Sequence, residues 1–315
     1  MSLAVVFPGQ GSQRVGMGRD WTLHPAAEQV FAEADKALGF SLSALCFDGP
    51  EEELKLTANQ QPAILATSWA IYQVIEELLP PVAFYAGHSL GEYTALVAAG
   101  ALPFAQALNT VRERGRLMQE AVPAGEGAMA AVIGLAAEQI SEINSQVVAD
   151  KGLVLDIANL NSPDQIVVSG DANAVAIAME HYQGAGAKRV VELPVSAPFH
   201  SALMVPAADA LKPRLMSLDF TPPQVPVIAN LTVQPYPGDP AQCPLLLHAQ
   251  IFNPVRWAET LHYFVAEGVT RLLEVGPGKV LRMLAVKTTR ELSAFNIEHE
   301  IDREKLASWL DEELS

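Results

Sequence analysis

Five apolar residues, Leu3 to Phe7, run without a break into Pro8-Gly9, and Val82 to Ala86 run in the same way into Gly87. A short unbroken apolar run ended by turn residues is the pattern of a strand buried on both faces. Residues from about Ala26 to Leu38 and from about Gln61 to Leu79 read as helices. Glu92 to Ala99 is a run of good helix formers, and Pro103 opens another helix that lasts to about Ala121. Strands alternating with helices predict a parallel α/β sheet, with ligands at the carboxyl ends of its strands.

The pattern changes near Gly125-Glu126-Gly127. Met129 to Ile133 reads as a strand, Glu138 to Ala149 as a helix, and Leu153 to Ala158 and Gln165 to Ser169 as two strands. Ala174 to Tyr182 then reads as a helix and Lys188 to Leu193 as a last strand. The order β-α-β-β-α-β is the ferredoxin-like unit. Residues 126–194 are therefore expected to form an inserted subdomain in an α/β core built from 1–125 and 195–315. In that core Thr270 to Val275 is a further strand, ended by Gly276-Pro277-Gly278 and followed by a helix. Asp302 is expected to cap a final acidic helix running through Leu314, with Leu306, Trp309 and Leu310 packed inward.

Composition narrows the partners. A chain of 315 residues, half of them hydrophobic, can bury one large core. Its formal net charge of -16 repels phosphate backbones and anionic membranes, so neither nucleic acid nor membrane is an expected partner. The N-terminus has no basic segment, and its apolar run is too short for a signal peptide. No stretch reaches the ~20 apolar residues of a membrane span. Cys46 and Cys243 lie far apart with no partner motif, which fits buried thiols in a reducing cytoplasm. The seven histidines show no metal-ligand spacing, so no metal is expected.

The candidate chemistry starts at Gly87-His88-Ser89-Leu90-Gly91, a G-x-S-x-G pattern between a strand and a helix. That is a nucleophile elbow: the glycines allow a sharp turn, and the serine hydroxyl projects into a cleft. The backbone N–H of Leu90, at the helix start, is a ready oxyanion donor. Phe7-Pro8-Gly9-Gln10-Gly11-Ser12-Gln13 follows the first strand, so Gln10 can supply a second donor from the same sheet edge. Two rival readings of this glycine-rich loop fail. A phosphate-binding loop needs Lys after Gly16, which is followed by Met17, and a dinucleotide fingerprint needs Gly where Arg14 stands. A serine also needs a base. His200, in Ala197-Pro198-Phe199-His200-Ser201, lies where the chain re-enters the first pattern. His88 adjoins the serine, but neighbouring residues on an elbow point different ways. Phe199 is placed to narrow a pocket beside His200.

FPGQGSQ at 7–13, GHSLGEY at 87–93, RGRLMQ at 114–119, NSPDQIVVSG at 161–170, APFHS at 197–201, NPVRW at 253–257 and EVGPGKVL at 274–281 together resemble the malonyl-CoA:acyl carrier protein transacylase family. These blocks keep the family's order over nearly the whole chain. The resemblance implies a hydrolase-like parallel-sheet core with a ferredoxin-like insertion. It implies Ser89 as acylated nucleophile, His200 as general base and then acid, and backbone N–H groups of Gln10 and Leu90 as the oxyanion hole. It assigns the malonyl carboxylate to Arg114, where the residues alone leave Arg112 and Arg116 open. It gives Gln250 an orienting role, with its backbone carbonyl against the second nitrogen of His200. The expected substrates are malonyl-CoA and an acyl carrier protein in fatty-acid biosynthesis, with no further cofactor. A polyketide acyltransferase would share every motif. A serine hydrolase would share the elbow but has no use for Arg114. Since carrier proteins are acidic, Lys188, Arg189, Lys279 and Lys287 are expected to form a local docking patch.

Overall fold

The computed structural model describes residues 2–195 and 197–312. Among them the strands are, in chain order, β1 (Leu3–Phe7), β2 (Val82–Gly87), β3 (Gly127–Ile133), β4 (Leu155–Ser162), β5 (Gln165–Asp171), β6 (Arg189–Glu192), β7 (Arg271–Val275) and β8 (Ser293–Ile297). They form two sheets. The first has the order β2-β1-β7-β8 and is parallel throughout. Along β1, Leu3, Val5 and Phe7 enter the largest core cluster, with Trp21, Ile71 and Tyr85. Ala4 and Val6 enter a second cluster on the opposite face, with Trp257, Leu261 and Phe264. Both faces are dry, which is why the strand shows no polar alternation.

The second sheet has the order β4-β5-β3-β6 and is antiparallel, the strand order of a ferredoxin-like unit. Helices Ala137–Lys151 and Ala172–Gly184 cover one face. Ala130, Val132, Ile166 and Val168 pack towards them, while Met129 and Val167 turn the other way into the largest core. Backbone bonds from Leu160 N to the Val255 carbonyl (2.9 Å) and from Val255 N to the Ala158 carbonyl (2.9 Å) tie this sheet to the rest.

Parallel strands bring their following loops to one edge. The loop after β1 and the turn after β2 touch there, where His88 N donates to the Phe7 carbonyl at 3.1 Å. The Gly276-Pro277-Gly278 turn after β7 closes on the same loop, with Gly276 against Pro8.

Several elements depart from the sequence expectation. The helix expected from Gln61 runs over Thr57–Ile75 and finishes in a tighter turn, Glu76–Leu78. Pro62 sits inside it, forgoing one bond to the Ala58 carbonyl. The final helix spans Arg303–Asp311, and Leu314 lies outside the described residues. Asp302 does not cap it with its side chain. That carboxylate accepts from Lys305 Nζ (2.9 Å) and from the His299 N–H instead, because a short turn, Glu300–Asp302, precedes the helix. Leu306 and Trp309 are buried, and Leu310 is partly buried. Cys46 and Cys243 are both buried free thiols, and burial pushes them up to about 12 and about 11. No described helix is long and apolar enough to cross a membrane.

Candidate active site

The elbow is built by close approach. A Cβ added at Gly87 would lie 1.9 Å from the Gly91 carbonyl carbon, and one at Gly91 would lie 2.1 Å from the Phe7 carbonyl oxygen. No side chain fits either position. Between them Ser89 is held at φ 50°, in the left-handed region. Asn230 braces the turn from both sides: its Oδ1 accepts from Ser89 N (2.8 Å) and its Nδ2 donates to the Gly87 carbonyl (2.7 Å).

His200 Nε2 lies 2.7 Å from Ser89 Oγ. Its Nδ1 lies 2.9 Å from the Gln250 carbonyl and 3.1 Å from the Asn253 carbonyl. Carbonyls only accept, so Nδ1 carries the proton and Nε2 is bare. The hydrogen bond therefore runs from the Ser89 hydroxyl to the imidazole. Burial, and then the nearby Arg114 charge, push His200 down to about 3. The imidazole is a neutral acceptor throughout the ordinary pH range, and its second nitrogen rests on carbonyl dipoles rather than a carboxylate. His88 turns elsewhere, with Nε2 at 2.8 Å from Asn161 Oδ1.

Three arginines occupy one helix, Phe104–Glu120, and the structure separates them. Arg112 stacks over the Phe40 ring at 4.4 Å and donates to the Leu38 carbonyl. Arg116 pairs with Glu113 and Glu120 on the surface. Arg114 alone of the three is fully buried. Its Nη1 donates to Gln61 Oε1 (2.7 Å), and its Nη2 to Ser89 Oγ (3.1 Å) and to Gln250 Oε1 (3.0 Å). The serine oxygen thus sits between a base and a fixed cation.

A cavity of about 810 Å³ opens over this group, lined by Gln10, Ser89, Met129, Leu193, Phe199 and His200 among others. Gln10 is fixed by a bond from its Nε2 to Gln60 Oε1 (2.6 Å). Leu90 immediately precedes the helix Gly91–Ala98, whose first N–H groups bond the carbonyls of His88, Ser89 and Leu90. Phe199 is 7% exposed, beside the imidazole. Lys188, Arg189, Lys279 and Lys287 are exposed and are not among the described residues lining the cavity. Lys287 Nζ reaches Gln165 Oε1 on the second sheet at 3.4 Å. Among the described residues no group of three or more His, Cys, Asp or Glu side chains could hold a metal.

Sequence reasoning did not single out Asn230, Asn253, Gln61 or Glu92. Two of them had a local signal: Glu92 follows the elbow in the block at 87–93, in the first turn of a helix, and Asn253 opens the block at 253–257. Glu92 is buried at 1% exposure and accepts from Tyr236 Oη (2.5 Å), Gln250 Nε2 (2.8 Å) and Asn230 N (3.1 Å).

A family model described as acyl transferase domain matches residues 4–313. A malonyl CoA-acyl carrier protein transacylase from Bacillus subtilis is 48% identical over 296 residues, covering 94% of this chain and 93% of that protein. One from Escherichia coli K12 is 47% identical over 293 residues, covering 92% and 94%. The crystal structure of an acyl carrier protein S-malonyltransferase from Vibrio cholerae superposes with a TM-score of 0.94 at 45% identity, covering 97% of this chain and all of that one. A malonyl-transacylase solved in complex with its type II PKS acyl-carrier protein superposes with a TM-score of 0.94 at 44% identity, covering 98% and 99%.

Proposed function

The chain belongs to the acyl transferase domain family, and from that premise we propose that it moves malonyl from coenzyme A to the phosphopantetheine thiol of an acyl carrier protein. One observation carries this reading: Ser89 Oγ lies 2.7 Å from a neutral His200 Nε2 and 3.1 Å from a buried Arg114 Nη2. A hydrolase of neutral esters needs the first contact. Only an acyl group with its own anionic end needs the second, because a buried carboxylate requires a fixed partner.

The steps follow from the hydrogen-bond directions. The Ser89 proton passes to His200 Nε2 as Oγ attacks the thioester carbonyl. Negative charge develops on the carbonyl oxygen, where the N–H groups of Gln10 and Leu90 are the donors. The imidazolium returns its proton to the departing coenzyme A thiolate, leaving malonyl on Ser89. The carrier thiol then enters the vacated channel, gives its proton to His200 and takes the acyl group, and Ser89 is reprotonated. Thioester and acyl-serine differ little in energy, so the exchange runs both ways. Phe199 narrows the pocket beside the base, and residues 126–194 act as an inserted subdomain that lends Met129 and Leu193 to the cavity wall. The site of action is the cytoplasm, where both substrates are made and used in fatty-acid biosynthesis. The resemblance to a transacylase that serves a type II PKS carrier favours a polyketide carrier as the second reading, with the same chemistry.

Intact-mass spectrometry after mixing with malonyl-CoA tests the proposal. A stable malonyl adduct on Ser89, discharged by a carrier thiol, is expected. Rapid release of free malonate with no adduct would make the protein a hydrolase.

The carrier needs a local basic surface on a chain of net charge -16. Charge reversal at Lys188, Arg189, Lys279 and Lys287 is expected to raise KM for the carrier and leave KM for malonyl-CoA unchanged. Equal effects on both substrates would remove these residues from the docking surface.

A further inference from the structure

Arg114 and Glu92 are opposite charges buried in one site, and Gln250 stands between them. Arg114 Nη2 donates to Gln250 Oε1 at 3.0 Å, and Gln250 Nε2 donates to Glu92 Oε2 at 2.8 Å. The amide dipole is aligned with the pair, its oxygen towards the cation and its nitrogen towards the anion. The other contacts on the Glu92 carboxylate are the Asn230 N–H and the Tyr236 hydroxyl. Both donors on Oε2 are N–H groups, so that oxygen carries no proton, and in the ionised form Oε1 accepts from the Tyr236 hydroxyl. Burial dominates at both groups, leaving the Glu92 carboxyl raised and the Arg114 guanidinium lowered on balance. Each is opposed by the other's charge, and Glu92 also by its three donors. The remaining titratable groups here, Tyr93, Tyr236, His88 and His200, rest neutral: the phenols are raised and the imidazoles lowered.

We infer that Glu92 is the resting counter-charge of Arg114, a positioning residue that acts through Gln250 to moderate the grip on the acyl carboxylate. The inference rests on the proposed malonyl reading. In the empty site one cation and one anion balance. When the malonyl carboxylate arrives beside Arg114, the same volume holds one cation and two anions. Glu92 therefore weakens the hold on the acyl group, which suits an enzyme that must pass that group on. Acetyl brings no charge and does not sense the difference.

Glu92→Gln tests this, because the amide keeps the shape and the contacts. Its oxygen can accept from Asn230 and Gln250 while its nitrogen donates to the Tyr236 oxygen. The measurement is kcat/KM for malonyl-CoA and acetyl-CoA, together with the lifetime of the malonyl adduct. The malonyl-to-acetyl ratio is expected to rise roughly tenfold and the adduct to last longer, as loss of a nearby like charge requires. Glu92→Asp withdraws the charge by one methylene and is expected to give a ratio between wild type and Glu92→Gln, so the test stands even if one variant fails to fold. If the folded variants lose rate on both thioesters in equal proportion, Glu92 is a scaffold residue and the inference falls. If wild type forms no malonyl adduct, the functional reading fails instead, and the two failures are distinct.

Discussion

Arg114→Ala is expected to turn the acyl preference from malonyl towards acetyl. Malonyl differs from acetyl by one ionised carboxylate. With Arg114 gone, that charge would enter a site that still holds the Glu92 carboxylate and no cation. Truncating one partner of a buried charge pair costs on the order of 2–5 kcal/mol. Acetyl brings no carboxylate to strand, so it suffers only the losses common to both substrates, the Arg114 contacts with Ser89 Oγ, Gln61 and Gln250. Arg114→Lys is expected to rescue poorly. An ammonium cannot reach Gln61 with one prong and Ser89 and Gln250 with the other, as the planar fork does. The measurement is kcat/KM for both thioesters in wild type and both variants. An unchanged ratio in all three would remove Arg114 as the carboxylate anchor and turn attention to Lys55, the cation among the described residues that line the cavity.

Ser89→Ala is expected to abolish the malonyl adduct and transfer, with the fold retained, since only the acylated oxygen is lost. His200→Ala should slow acylation by at least ~10², the usual worth of a positioned general base. The buried imidazole adds a pH signature. A base with a depressed pKa stays neutral until the pH falls to that value, here about 3. The rate of serine acylation by malonyl-CoA should therefore hold level as the pH is lowered from about 8 to about 5, with no step at the ordinary histidine value near ~6.5. Stopped-flow acylation across that range would show the step if His200 were solvated and unshifted.

The parts of the fold legible in the sequence were those with one dominant local cause. β1 is buried along its whole length and β2 over its last half, and both run into glycine turns, so pattern and punctuation agree. The β-α-β-β-α-β unit was legible because each of its strands and helices is bounded by turn residues. β8 was not: Ser-Ala-Phe-Asn-Ile is partly buried along most of its length and mixes polar with apolar positions. Val205–Met216 and Cys243–Gln250 are helices that carry prolines, and Trp257–Ala266 is rich in aromatic residues that read as strand as readily as helix. In the site, Ser89 and His200 sit in blocks whose glycines and prolines announce special backbone. Asn230 and Gln61 do not. Asn230 meets the elbow across 141 residues of chain, and nothing periodic marks a lone buried amide.

Ser89 at φ 50° and His200 at φ 57° share a backbone region that side chains other than glycine seldom occupy. Each such residue costs of the order of 1–3 kcal/mol, which the packing around it must offset. Glycine would sit at either position without that cost. Val233 shares the region at φ 56°, but the two residues that react are among those the fold, left to itself, would replace, and selection of this chain for thermal endurance alone would work against its chemistry.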